Sequence, residues 1–210
     1  MVQNFSDEAL VLIDIQNDFC PGGALAVNEG NEIVSVVNNI QKKFSVKILT
    51  QDWHPENHKS FASNHSGKDP FSSINMSYGL QILWPDHCIQ DTLGADFHSD
   101  LITKNSDLII RKGFRPDIDS YSAFFENDKS TPTGLEGYLK TRGIKTIYLC
   151  GLALDFCVFF SAIDGAKLGF QVFVIEDACR AIDLDGSLEN SLKEMNAVGV
   201  KLISSSKFLS

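Results

Sequence analysis

Cys157 lies in the stretch Lys145–Ala162, KTIYLCGLALDFCVFFSA. The apolar run Ile147–Cys150 reads as a buried strand, Gly151 breaks it, and the pattern from Cys157 onward predicts a helix. A thiol at a helix N-terminus meets orphan backbone N–H groups and the positive end of the dipole, which lowers its pKa and favours the thiolate. The same N–H groups can hold a developing oxyanion. A lone cysteine is more often core packing than nucleophile, so its companions matter. Asp14 and Lys112 supply the rest of a covalent scheme. A carboxylate within reach of the thiol can take its proton and return it to a leaving amine, while a lysine holds the pair in register and offsets negative charge. A second group, Asp52, His54 and His87, suits a metal ion. In an extended D-x-H segment residues i and i+2 point the same way, so one ion can take both, with His87 closing the site from the WPDHC loop. One carboxylate, two imidazoles and water fit Zn, Fe or Mn as a single divalent ion, and His58 is a possible further ligand or supporting donor. Phe19, Trp84 and Tyr121 can wall a pocket for a flat ring.

For residues so far apart in sequence to meet, the elements between them must bring their ends to one edge. Six apolar runs read as strands: Ala9–Ile15, Val46–Thr50, Asp107–Arg111, Thr146–Cys150, Gln171–Glu176 and Val200–Ser204. Helical spacing is predicted over Asn31–Lys43, Gly134–Arg142, Phe156–Leu168 and Leu184–Val198. Strands that do not alternate in polarity are covered on both faces. The pattern therefore predicts an α/β fold, a three-layer α/β/α sandwich around a central, mostly parallel six-stranded sheet. In such sheets functional groups gather beyond the carboxyl ends of the strands, which is where Asp14, Asp52, His54, Lys112 and Cys157 fall. The long segment His54–Ile82 has no clear periodicity and is expected to be irregular, packed by its aromatics, with short helical turns. Asp117–Ala123 reads as a loop lining a site. The sequence after the first strand is QNDFCPGG, with no G-x-G-x-x-G, so a dinucleotide site is not supported.

The chain has 210 residues and 43% hydrophobic content, which suits one domain over 1–210 with an irregular metal-binding loop region at about 52–90. A net charge of −9 argues against nucleic acid and anionic membrane surfaces, but not against a small neutral substrate. The start carries no basic, apolar leader pattern, and no apolar run reaches membrane length. Five cysteines without a C-x-x-C pair fit a reducing, cytoplasmic setting better than a disulfide scaffold. Monomer and homo-oligomer both stay open.

Taken together, DIQNDFCPGG at 14–23, DWHP at 52–55 with NHKSFA at 57–62, WPDHC at 84–88, RKG at 111–113 and GLALDFCV at 151–158 resemble the nicotinamidase (pyrazinamidase) family of isochorismatase-like cysteine hydrolases. The motifs keep the family's order over nearly the whole chain. The resemblance implies hydrolysis of nicotinamide to nicotinate and ammonia through a cysteine thioester, in NAD salvage. It implies Asp14, Lys112 and Cys157 as the catalytic triad and Asp52, His54 and His87 as metal ligands. It further implies Phe19 and Trp84 as walls around the pyridine ring, Ser60 as a supporting partner of the metal site, and Gln16 near the metal. It also implies a cis peptide at Leu152–Ala153 that turns the Ala153 N–H toward the oxyanion, beside that of Cys157. Two alternatives remain at this stage: a related amidase or carbamoyl hydrolase of the same architecture, and a non-enzymatic binding protein that kept the fold.

Overall fold

The computed structural model describes residues 7–208; residues 1–6 and 209–210 of the expected domain lie outside the described residues. In chain order the first half contains β1 (Glu8–Ile13), α1 (Ile33–Ile40), β2 (Lys47–Asp52), β3 (Ser73–Met76), β4 (Gly79–Ile82) and β5 (Leu108–Lys112). The second half contains α2 (Leu135–Thr141), β6 (Thr146–Leu152), α3 (Phe159–Lys167), β7 (Gln171–Arg180), α4 (Ser187–Ala197) and β8 (Lys201–Ile203). Six strands form one sheet in the order β5-β2-β1-β6-β7-β8, with every pairing parallel. β6 is buried at all seven positions and β1 at every position from Ala9, so helices must cover both faces of the sheet's centre. This is the expected three-layer α/β/α sandwich. α1 supplies one layer through Ile33, Val34, Val37 and Ile40, buried at helical spacing. Each such side chain, fully buried, contributes on the order of 1.5–3 kcal/mol.

The strand order places the site. The chain winds outward from β1 through β2 to β5, then returns to the other side of β1 and winds outward again through β6, β7 and β8. The direction reverses between β1 and β6, and the loops leaving their carboxyl ends part there, opening the crevice in which α/β sheets bind ligands. Gly151 lets the two central strands approach closely: its φ is +128°, and a Cβ there would run into the Ile13 carbonyl.

Several sequence-based boundaries move. β1 stops at Ile13, and Asp14 leaves the strand with φ +46°, turning away from the sheet. β2 runs on through Asp52 and β5 through Lys112, so both side chains sit on the last rigid residue of a strand. Their registered pairing, Asp52 opposite Lys112, brings the two charges together. The segment expected to be irregular contains a β-hairpin, β3 with β4, in a separate two-stranded sheet. Its strands are half-exposed and polar, so the apolar alternation that marks a strand is weak there. Cys157 does not open the α-helix. It lies in a π-helical turn, Leu154–Val158, and the α-helix begins at Phe159. Among the described residues no helix is long and apolar enough to cross a membrane.

Candidate active site

Asp14 and Cys157 lie at the two sides of the crevice, just past β1 and β6, and Lys112 reaches between them from the end of β5. The Lys112 ammonium is 2.8 Å from Asp14 Oδ2, donates to the Ser120 carbonyl at 2.8 Å and lies 3.5 Å from Cys157 Sγ. It also donates to Asp52 Oδ1 in a short hydrogen bond. A ligating oxygen of Asp14 and the Cys157 sulfur lie within 4.8 Å of each other. All three side chains are buried. The structure thus brings Asp14, Lys112 and Cys157 together as the sequence suggested.

Burial dominates the protonation of this group. It pushes the Asp14 carboxyl up to about 6, against the pull of Lys112. It also pushes the Cys157 thiol well above its ordinary value, with Lys112 opposing and Asp14 reinforcing. The expected lowering of the thiol pKa by a helix N-terminus is therefore corrected: burial raises it, and the desolvated cavity penalises a third anion beside Asp14 and Asp52. Lys112 loses solvation too, but the Asp14 and Asp52 carboxylates more than compensate and hold it charged. A thiol raised in this way, next to a carboxyl that titrates near 6, calls for proton transfer as part of the attack.

Asp52, His54 and His87 form the second group, with Asp52 Oδ2 3.7 Å from His54 Nε2 and 3.9 Å from His87 Nε2. Two donors bound at ~2.1 Å around a tetrahedral ion stand ~3.4 Å apart, so a few tenths of an ångström of closure would suffice. The ring nitrogens face the right way. His54 Nδ1 contacts the Gly113 carbonyl at 2.8 Å and His87 Nδ1 contacts the Pro85 carbonyl at 2.7 Å. A carbonyl only accepts, so each Nδ1 carries the proton and each Nε2 lone pair turns to Asp52. Burial, with His54 beside it, pushes His87 down to about 4, which keeps it neutral as a ligand must be. For His54 burial works the same way, but Asp52 outweighs it and holds the ring above its usual range; a cation at Nε2 would take that proton's place. Burial also opposes charge on Asp52, yet Lys112 and His54 keep its carboxyl below the ordinary range. Three buried donor groups with oriented lone pairs fit one divalent ion.

His58 stands beside this group. Its ring centroid is 4.4 Å from that of His54, but Nδ1 is engaged by the Ser60 hydroxyl at 2.7 Å and Nε2 points to the Ile118 carbonyl at 3.3 Å. It shares a donor cluster with His54 and Asp119, away from Asp52. Ser60 thus orients His58. Gln16 clasps the backbone of Asp52, donating to its carbonyl and accepting from its N–H, both at 2.8 Å. The Leu152–Ala153 peptide is cis.

A cavity opens onto both groups. Phe19, Trp84, His87, Tyr121, Ala153 and Cys157 line it, together with Leu25, Asp52, Asp119, Phe156 and Ile182. The Trp84 ring meets Phe156 edge-on at 5.0 Å, and its Nε1–H donates to the Tyr121 hydroxyl at 3.0 Å. The loop 117–123, expected to line a site, contributes Asp119 and Tyr121 to the wall. Sequence reasoning missed Thr50, whose hydroxyl donates to Asp14 Oδ1 at 2.6 Å and accepts from the Asp14 N–H at 3.2 Å. A threonine inside an apolar strand, two residues before Asp52, was the signal available. It also missed Asp119 and Phe156, one in a polar loop and one in the turn before the nucleophile.

A buried thiol, a carboxyl and an ammonium, set beside three donor groups that could hold an ion at the switch point of a parallel sheet, suit a hydrolase of the α/β class. The chain matches the isochorismatase domain over residues 8–207 and belongs to that family. It is 53% identical to the nicotinamidase of Acinetobacter baylyi over 96% of this chain and 94% of that one. A nicotinamidase–pyrazinamidase structure from Acinetobacter baumanii superposes with a TM-score of 0.96 at 53% identity, covering 98% of this chain and 99% of that one. A pyrazinamidase of Pyrococcus horikoshii, solved in complex with zinc, gives a TM-score of 0.76 at 37% identity, covering 94% and 99%.

Proposed function

We propose that this protein is a nicotinamidase, built as a single isochorismatase-like domain, that hydrolyses nicotinamide to nicotinate and ammonia and so feeds pyridine nucleotide salvage. The observation that carries this reading is that Cys157, packed against Lys112 and Asp14, lines one cavity together with Asp52 and His87, beside which His54 stands. High identity to the Acinetobacter baylyi nicotinamidase supports the choice of substrate.

In this reading Phe19, Trp84 and Tyr121 hold the flat ring, and the carboxamide carbon lies against Cys157 Sγ. Asp14 takes the thiol proton as sulfur attacks, and the tetrahedral oxyanion is held by the Ala153 and Cys157 N–H groups. Losing one such donor typically costs about 3 kcal/mol of transition-state stabilisation. Lys112 offsets the charge that develops between Asp14 and Cys157. Asp14 then protonates the departing ammonia, leaving a thioester on Cys157. It next takes a proton from water as that water attacks the thioester, and nicotinate leaves as the thiol is restored. Asp52, His54 and His87 would hold one divalent ion, supplying Lewis acidity to a donor atom of the substrate. The ion we assign is zinc, supported by the imidazole–carboxylate donor set and by the zinc-bound Pyrococcus horikoshii relative, with iron and manganese as the other candidates. Five cysteines free of disulfides support a cytoplasmic setting.

The test is ammonia release from nicotinamide by the purified protein, before and after chelation and after metal add-back. Release that falls on chelation and returns with Zn²⁺ is the expected result. A protein that binds zinc fully and releases no ammonia would overturn the reading.

A further inference from the structure

Gln81 is the one buried residue of the β3–β4 hairpin strands, 1% exposed, and it does not line the cavity. Every polar atom of its side chain is engaged. Oε1 accepts from the Tyr78 hydroxyl at 3.1 Å and from Asn127 Nδ2 at 3.2 Å. Nε2 donates to the Ile82 carbonyl at 2.7 Å and to Asp119 Oδ2 at 2.9 Å, and lies 2.9 Å from the Tyr121 oxygen. Reversing the amide would set its oxygen against the Asp119 carboxylate and its nitrogen against the Asn127 amide donor, so the orientation is fixed by charge.

That orientation has a consequence at Tyr121. Both the Gln81 amide nitrogen and the Trp84 indole nitrogen are donors only, and they reach the Tyr121 oxygen at 2.9 and 3.0 Å. The oxygen accepts from Trp84, and neither nitrogen can take the Tyr121 proton, which turns away from both. Its own proton finds no acceptor among the described residues, and Tyr121 is a wall of the cavity. We propose that Gln81 is a positioning residue that forces the Tyr121 hydroxyl to donate into the cavity, where it recognises a lone pair on the bound heteroaromatic amide. The polar hairpin thus sets substrate affinity from outside the cavity. This inference rests on the nicotinamide reading above.

The experiment is steady-state kinetics of the metal-loaded protein with nicotinamide, for wild type, Gln81→Met, Tyr121→Phe and the double variant. A contact made equally in the ground and transition states changes KM and leaves kcat. Each single variant should raise KM about five- to tenfold, the scale of one lost hydrogen bond, with kcat within about twofold. The double variant should match the singles, because Gln81 acts through Tyr121. Gln81→Glu keeps the shape but replaces the donor by an acceptor, so it too should raise KM; it serves if the methionine variant folds poorly. An unchanged KM in the Gln81 variants, a loss confined to kcat, or effects that multiply in the double variant would overturn the inference. Wild-type protein that does not turn over nicotinamide would instead sink the reading on which it rests.

Discussion

Thr50→Val isolates the proton chemistry of Asp14 with little change of shape. The Thr50 hydroxyl donates to Asp14 Oδ1 at 2.6 Å and accepts from the Asp14 N–H at 3.2 Å, and both residues are fully buried. A hydrogen bond to a charged group contributes about 1.5–3 kcal/mol, and about 1.4 kcal/mol corresponds to one pH unit in a titration. Losing a bond that favours the carboxylate should raise a pKa that already stands at about 6. The acid limb of kcat/KM, which reports ionisation of the base in the free enzyme, should therefore move up by about one to two pH units. Stability follows the same linkage. A carboxyl whose pKa is higher folded than unfolded favours the fold when protonated. That contribution is full below about pH 4, the unfolded value, and is lost as pH rises through about 6. In the variant the protonated form is favoured further. Its Tm deficit against wild type should be small near pH 5 and grow toward pH 8. The assay is the pH profile of kcat/KM on metal-loaded protein, paired with thermal melts across the same range. A folded, metal-loaded variant whose acid limb coincides with that of wild type would refute the assignment of Asp14 as the base.

Two further substitutions probe the ion site. Gly113 has φ +65°, and a Cβ there would strike the His54 ring that its own carbonyl orients. Gly113→Ala should weaken metal affinity by about 10- to 100-fold, the usual cost of losing a ligand's orienting partner. Zn²⁺ titration against a competing chelator checks this, and unchanged affinity would count against His54 as a ligand. Asp52→Ala removes one proposed ligand and one of the two carboxylates paired with Lys112. It should lose the metal, and the released Lys112 should pair more tightly with Asp14 and push the acid limb of any residual activity down. An upward move would contradict the placement of Lys112 between the two carboxylates.

Much of the site was legible because its residue types are chemically specific and each lies at the end of an apolar run. Asp14, Asp52, Lys112 and Cys157 could be assigned to one edge from the parallel-sheet pattern alone, since β1, β2 and β6 declare themselves by continuous burial and β5 by the apolar run that precedes Lys112. What stayed hidden depends on tertiary pairing. Thr50 looks like any strand threonine until β2 sets its hydroxyl under Asp14. The polar β3–β4 hairpin has too little apolar alternation to announce itself, and with it went the role of Gln81. The thiol's protonation was misjudged because helix position is visible in sequence, whereas burial beside Asp14 and Asp52 is not.

The most direct test of the covalent scheme is rapid-quench mass spectrometry of the metal-loaded protein mixed with excess nicotinamide near neutral pH, where Asp14 can take the thiol proton, and stopped in acid, which arrests thioester hydrolysis. The expected result is one nicotinoyl group on the peptide containing Cys157, absent in Cys157→Ala, which should bind metal normally yet release no ammonia. Ammonia release by Cys157→Ala at a rate comparable to wild type, with no adduct on either protein, would contradict the thioester route.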